Sequence, residues 1–190
     1  MNSLYSLPVT ITCGGQELPI RGRGDYRIIL DVIAALDDWE LEEDERAEAA
    51  LTIFLDCDLS TVHDLQGACV QMADFISAGG KQGKRTNKKL MDWQDDAAHI
   101  ISGINRVLGQ EIRALPYLHW WTFVAAYMEI GDGTLAMVIS IREKLANGRK
   151  LEKYERQYYH DHPEEFEFSS DKARKERERD EIMEIWNDGS

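Results

Sequence analysis

Asp92, Asp95, Asp96 and His99 fall within about two turns of one helix-like segment, and Glu42, Glu43, Asp44, Glu45 and Glu48 crowd a second. Hard carboxylate oxygens carried on paired helices are the donors that Mg2+ takes, so these clusters are the first candidates for chemistry on a phosphorylated substrate. Each cluster also stands at a helix start. There Asp and Glu satisfy free backbone N–H groups and meet the positive end of the helix dipole with no ion present. That explanation accounts for both clusters, and neither a metal nor a cofactor is expected.

His160 and His162 offer less. Histidines at i and i+2 do not share a helix face, so they would chelate only from an extended segment, and no Cys or third His lies beside them. His119 has a pKa range that could switch its charge near neutral pH, but a histidine inside an aromatic run more often makes one hydrogen bond to a neighbouring helix. No GxSxG, P-loop or GxGxxG stands in the chain. No catalytic residue is singled out, and a non-enzymatic protein is expected.

With 190 residues, 43% of them hydrophobic, the chain can bury one substantial core. Its formal charge of -13 opposes nucleic acid or anionic lipid as the main partner, because phosphate-binding surfaces need clustered Lys and Arg. A neutral or basic protein partner fits better. Cys13, Cys57 and Cys69 have no CxxC spacing and read as small core side chains in a reducing compartment. No basic leader with a long apolar run opens the chain, and no window approaches a membrane span, so a soluble cytoplasmic protein is expected.

The elements that must position these residues are mostly helices. Val9, Ile11 and Cys13 alternate with threonines, turn at Gly14-Gly15 and resume at Leu18 and Ile20, which predicts a β-hairpin within residues 4–21. From Asp25, a cap candidate, the period becomes helical. Successive helices are predicted from Asp25, from the acidic run at 42–48, and from a Ser60 or Thr61 cap as far as Gly79. Residues 77–89, with Lys81, Lys84, Arg85, Lys88 and Lys89, read as a flexible solvated loop. Asp92 is placed to cap the next helix, with Asp95 and Asp96 in its first turn and Trp93, Ala97, Ile100, Ile104 and Val107 as its stripe.

The stretch "YLHWWTFVAAY", Tyr117 to Tyr127, reads as a helix apolar nearly all round, which belongs at the centre of a bundle. A helix from Thr134 stops at Gly148, and a more polar one stops at Pro163. The expectation is a mainly α chain: a helical bundle over 1–168 with a short N-terminal hairpin, and a charged C-terminal helix or tail over 169–190. The core is expected on Trp93, Ile100, Ile104, Trp120, Trp121, Phe123, Val138 and Ile141. Ile182, Ile185 and Trp186 close the charged helix and are candidate partner contacts, because an apolar cluster on a charged stalk needs cover.

Three segments together resemble a known family. "DWQDD" supplies Asp92, Trp93, Asp95 and Asp96; "LHWWTF" supplies Leu118, His119, Trp120, Trp121 and Phe123; and "VISIR" ends at Arg142. In order and spacing they are similar to the gene product fifteen family of tailed phages, over about Asp92 to Arg142. The resemblance implies a mostly helical, non-catalytic tail assembly chaperone that binds the phage tape measure protein and keeps it soluble. It also implies an association with the tail tube protein or with itself, residence in the host cytoplasm, and absence from the mature virion. The competing readings are a Mg2+-dependent all-α nucleotide pyrophosphatase using the acidic clusters, and a structural minor tail protein retained in the virion.

Overall fold

The computed structural model describes residues 6–78 and 88–188, with side chains described as far as Asp180 and at Met183. Among these residues the protein is mainly α: eight α-helices, joined by short 3-10 turns, and one two-stranded antiparallel sheet. The chain divides into two compact units, one of Met1–Arg85 with Ile104–Glu129 and one of Thr86–Gly103 with Ile130–Ser190.

The first unit opens with β1 (Thr10–Cys13) and β2 (Gln16–Pro19), paired from Thr10 opposite Pro19 to Cys13 opposite Gln16. Gly14 and Gly15 make the turn at φ +55 and +76, a conformation that residues with a Cβ rarely adopt. Alternation buries Ile11, Cys13 and Leu18 and leaves Thr12 and Glu17 outside. Helix α1 (Tyr26–Leu36) is capped by Asp25, as its sequence predicts, and buries Tyr26, Ile29 and Val32. Helix α2 (Glu43–Phe54) starts with a reciprocal capping box between Glu42 and Glu45, and turns Ala50, Leu51 and Phe54 inward.

Helix α3 (Leu65–Ile76) departs from the expected start. Asp64 caps it, accepting from the Gly67 N–H at 2.8 Å, while Ser60 and Thr61 lie in a preceding 3-10 turn capped by Asp58. The Thr61 hydroxyl donates to the Asp58 carbonyl at 2.6 Å, so it serves that turn rather than a helix end. Helix α3 closes at Ile76 and Ser77; Gly79 and the basic residues 81–87 of the expected loop lie outside the described residues.

Helix α4 (Ala97–Leu108) contributes its last turns, from Ile104, to this unit, and α5 (Trp120–Met128) completes it. The all-round burial expected for α5 is not observed. Trp120, Phe123 and Ala126 are buried on one face, whereas Met128 is 72% exposed and Ala125 faces solvent.

The second unit holds the first turns of α4, then α6 (Thr134–Ala146), α7 (Lys153–Asp161) and α8 (Ser169–Asp188). Leu135, Val138 and Ile141 form the buried stripe of α6. Gly148, at φ +64, follows the end of that helix. A second capping box, Glu152 with Glu155, starts α7. Buried Glu155 also accepts from the Lys144 ammonium at 2.6 Å, and that hydrogen bond holds its carboxyl below the usual range.

Candidate functional site

The motif residues between Asp92 and Arg142 fall at two junctions, one in each unit. In the first unit, Gly24 and Asp25 lie antiparallel to Leu118, His119 and Trp120. Tyr26 N–H donates to the Leu118 carbonyl at 2.9 Å, and Trp120 N–H to the Gly24 carbonyl at 2.8 Å. The approach is close enough that a Cβ on Gly24, at φ +77, would stand 3.1 Å from His119 Nε2, and it would also stand 2.7 Å from Phe75 Cζ of α3. Asp25 uses both carboxylate oxygens here: Oδ1 caps α1 through the Arg27 N–H, and Oδ2 accepts from the Leu118 N–H at 3.0 Å. The chain reaches Asp25 through Arg21, whose guanidinium donates to the carbonyls of Thr52, Ile53 and Leu55 at the end of α2.

His119, 1% exposed, closes two further gaps. Its Nδ1 accepts from the Trp121 N–H at 3.0 Å, capping α5, so the ring proton sits on Nε2 and donates to the Pro8 carbonyl at 2.9 Å. Burial pushes its pKa below 6.5, which favours this neutral form. The adjacent tryptophans act as a pair. Their indole N–H groups donate to the last carbonyls of α3, Trp120 to Ile76 and Trp121 to Phe75, both at 2.9 Å. Helix-end carbonyls have no partner within the helix; the Phe75 carbonyl also accepts from the Ala78 N–H at 3.0 Å, and the two indoles complete the C-terminus. Phe123 stacks on Tyr26 with ring centroids 4.7 Å apart, which carries the junction into the core.

Trp121 is only half-buried, against the expectation that it is core. Its polar edge is tied to α3, while its remaining surface lines a groove of about 360 Å³ with Pro8, Thr10, Gln71 and Asp74. Trp93 is likewise half-buried, whereas Ile100, Ile104, Trp120, Phe123, Val138 and Ile141 are buried as expected. Tryptophan is large enough to be largely covered and still show an edge.

The second unit's junction is ionic. Arg142 meets Asp96 with two parallel hydrogen bonds, Nη1 to Oδ2 at 2.7 Å and Nη2 to Oδ1 at 2.9 Å; the side chains are 7% and 3% exposed. The same guanidinium donates to the carbonyls of Leu90 and Glu165 and lies over the Phe168 ring, 4.5 Å from its centroid. Asp96 in turn accepts from the Asp92 N–H at 2.9 Å. The helix start lies a turn later than expected. Residues 93–96 form turns, α4 begins at Ala97, and Asp92 caps the turn by accepting from the Gln94 and Asp95 N–H groups. Burial works against the charge on Asp92; hydrogen bonds from Lys89 and those two backbone groups outweigh it and hold its carboxyl below the usual range.

Asp95 and the histidines are engaged in similar ways, whereas Glu43, Asp44 and Glu48 are exposed on α2. Asp95 accepts from the Ser169 N–H and hydroxyl at 2.8 and 2.6 Å, at the start of α8. His99 faces Glu165 at 3.3 Å, and Glu165 also accepts from the Tyr158 hydroxyl, whose pKa burial and this carboxylate push up to about 12. His160 pairs with Asp161 and His162 with Glu164, both at the exposed end of α7. Among the described residues, no group of three or more His, Cys, Asp or Glu is placed to hold a metal ion. Ile182, Ile185 and Trp186 belong to α8 by backbone, and their side chains lie outside the described residues.

Sequence reasoning did not find Arg21, Glu155 or Glu165, nor the pairing of Asp96 with Arg142. Arg21 had a local signal, since an arginine beside a glycine-flanked turn can reach carbonyls left free at a helix end. The pair Asp96–Arg142 had none, because its partners stand 46 positions apart.

Both junctions fall within one family match. The family model described as Bacteriophage Gp15 protein matches residues 5–168. The chain belongs to the Bacteriophage Gp15 protein family. In this Gp15-family chain the match ends where α8 begins, and it includes every motif residue from Asp92 to Arg142. No curated protein and no solved structure matches the chain. Among the described residues no helix is long and apolar enough to cross a membrane.

Proposed function

We propose that this Gp15-family protein is a non-catalytic tail assembly chaperone that binds the phage tape measure protein and keeps it soluble until the tail tube encloses it. The family match over residues 5–168 carries the reading. The junction geometry supports it: His119, Trp120, Trp121, Asp96 and Arg142 are turned onto other parts of the chain, as expected of a frame that presents surfaces to a partner. A long helical protein with an apolar face would aggregate before assembly, and a soluble acidic partner of charge -13 could cover it and hold it in solution. The Mg2+-dependent alternative would have to draw Asp96 from a buried arginine and Asp95 from Ser169.

Co-expression with the tape measure protein encoded beside it, followed by size-exclusion chromatography, tests the proposal. The expected outcome is a tape measure soluble only with this chain, the two co-eluting. A tape measure that stays insoluble while this chain elutes alone would contradict it. Recovery of the chain at stoichiometric level from purified virions would favour a structural tail protein instead.

A further inference from the structure

Helices α2 and α3 leave between them a trough of about 550 Å³ on the surface of the first unit. One wall is a single stripe of α2: Asp44, Ala47, Glu48 and Leu51, at the i, i+3, i+4 and i+7 spacing that places residues on one face. The other wall is Leu65 and Cys69 of α3, with Leu59 at the end, so the floor is apolar. Leu65 is 46% exposed although it begins a helix packed in the core, and Cys69 is half-buried.

The edges of the trough differ. Asp44 and Glu48 put two carboxylates along the α2 side, while Ser60 and Gln66 on the other side carry no charge. No Lys or Arg lines it among the described residues. The α2 wall runs from Asp44 to Leu51 and the α3 wall from Leu65 to Cys69, so an occupant lying along α2 meets about two turns of helix. Two helical walls, an apolar floor and one acidic edge match the helix-in-groove mode of recognition.

We propose that the trough between α2 and α3 is the docking site for an amphipathic helix of a partner protein, with an apolar stripe seated on Ala47, Leu59, Leu65 and Cys69 and a Lys or Arg flank against Asp44 and Glu48. It deepens the chaperone reading by naming the kind of segment bound, and rests on that reading only for which protein carries the segment. Charge complementarity selects this occupant. A second copy of the chain would bring net charge -13 toward an edge that is already acidic.

The test uses the full chain and two fluorescent synthetic peptides of about four turns, one an amphipathic Leu/Lys helix and one its Leu/Glu counterpart. The wild-type chain is expected to bind the Leu/Lys peptide and not the Leu/Glu one. Leu65→Asp, at an exposed helix start where an acid is tolerated, should weaken binding by about tenfold or more with an unchanged melting temperature. Asp44→Lys with Glu48→Lys should reverse the peptide preference. Failure of the wild type to bind the Leu/Lys peptide overturns the proposal, as does wild-type binding in a folded Leu65→Asp variant or indifference to the charge reversal. If these results hold while the tape measure stays insoluble on co-expression, the chaperone reading fails and the docking site stands.

Discussion

The junction around His119 and the junction around Arg142 each tie distant parts of a sequence together, but with opposite chemistry. In the first, the motif's own side chains are neutral: an imidazole and two indoles donate to backbone carbonyls of Pro8, Ile76 and Phe75, beside the Asp25 carboxylate. The second buries a full ion pair, Asp96 with Arg142. Neutral donors on aromatic rings bring apolar area with them, so each bond adds to a core that burial already favours. A buried ion pair must first offset the desolvation of both charges, and half of one is worse than none. The first junction should therefore fail by loss of volume, and the second by loss of balance.

Trp120→Ala should give the largest effect. It removes a nearly fully buried ring together with the donor to Ile76, and a loss of about 3 to 5 kcal/mol in chemical denaturation, or outright insolubility, is expected. An unchanged midpoint would break the comparison, since the aromatic junction would then not be core. Arg142→Met should cost about 3 kcal/mol by leaving Asp96 charged, buried and without its cation, and the double variant Arg142→Met with Asp96→Leu should recover part of that loss. Strict additivity of the two single changes would show that the pair is not coupled.

Smaller changes sharpen the contrast. Trp121→Phe keeps most of a half-buried ring and deletes only the bond to the Phe75 carbonyl, so about 1 kcal/mol is expected by thermal or denaturant unfolding. The smallest effect is one of pH. The folded-state pKa of His119 lies below 6.5, so the unfolded chain takes up its proton first as pH falls. The contribution of His119 to stability is complete above 6.5 and declines as pH falls from 6.5 to the folded value. A melting temperature followed from about pH 7.5 to about pH 5 should fall more steeply in the wild type than in His119→Gln. Equal slopes would show that His119 is not buried as a neutral ring.

Much of the frame was legible because its signals are local. Gly14-Gly15 marked the hairpin turn, Asp25 the start of α1 and Pro163 the stop after α7, each through a backbone constraint that one or two residues impose. At the helix starts that moved, a side chain has another partner. Thr61 bonds back to Asp58, and Asp64 is the cap of α3; Asp96 pairs with Arg142, and α4 begins at Ala97.

The candidate site was legible in composition and illegible in role. The aromatic run announced a core, yet nothing in its period says that Trp121 caps α3 while showing an edge, or that Met128 faces solvent. Asp92, Asp95, Glu42 and Glu45 serve helix starts and turns, and Asp96 is the partner of Arg142, a distinction that depends in part on which distant chain segment arrives beside them.

The central claim is that the tryptophan and histidine side chains of the aromatic motif are closed into internal hydrogen bonds. Solvent exchange of the indole N–H protons, followed by NMR on the intact protein in D2O, tests it most directly. The account predicts that the Trp120 and Trp121 indole protons exchange slowly, at rates set by opening of the α3 end. Exchange of both at the rate of free tryptophan would contradict it, and would turn the motif from a tie within the fold into an open surface.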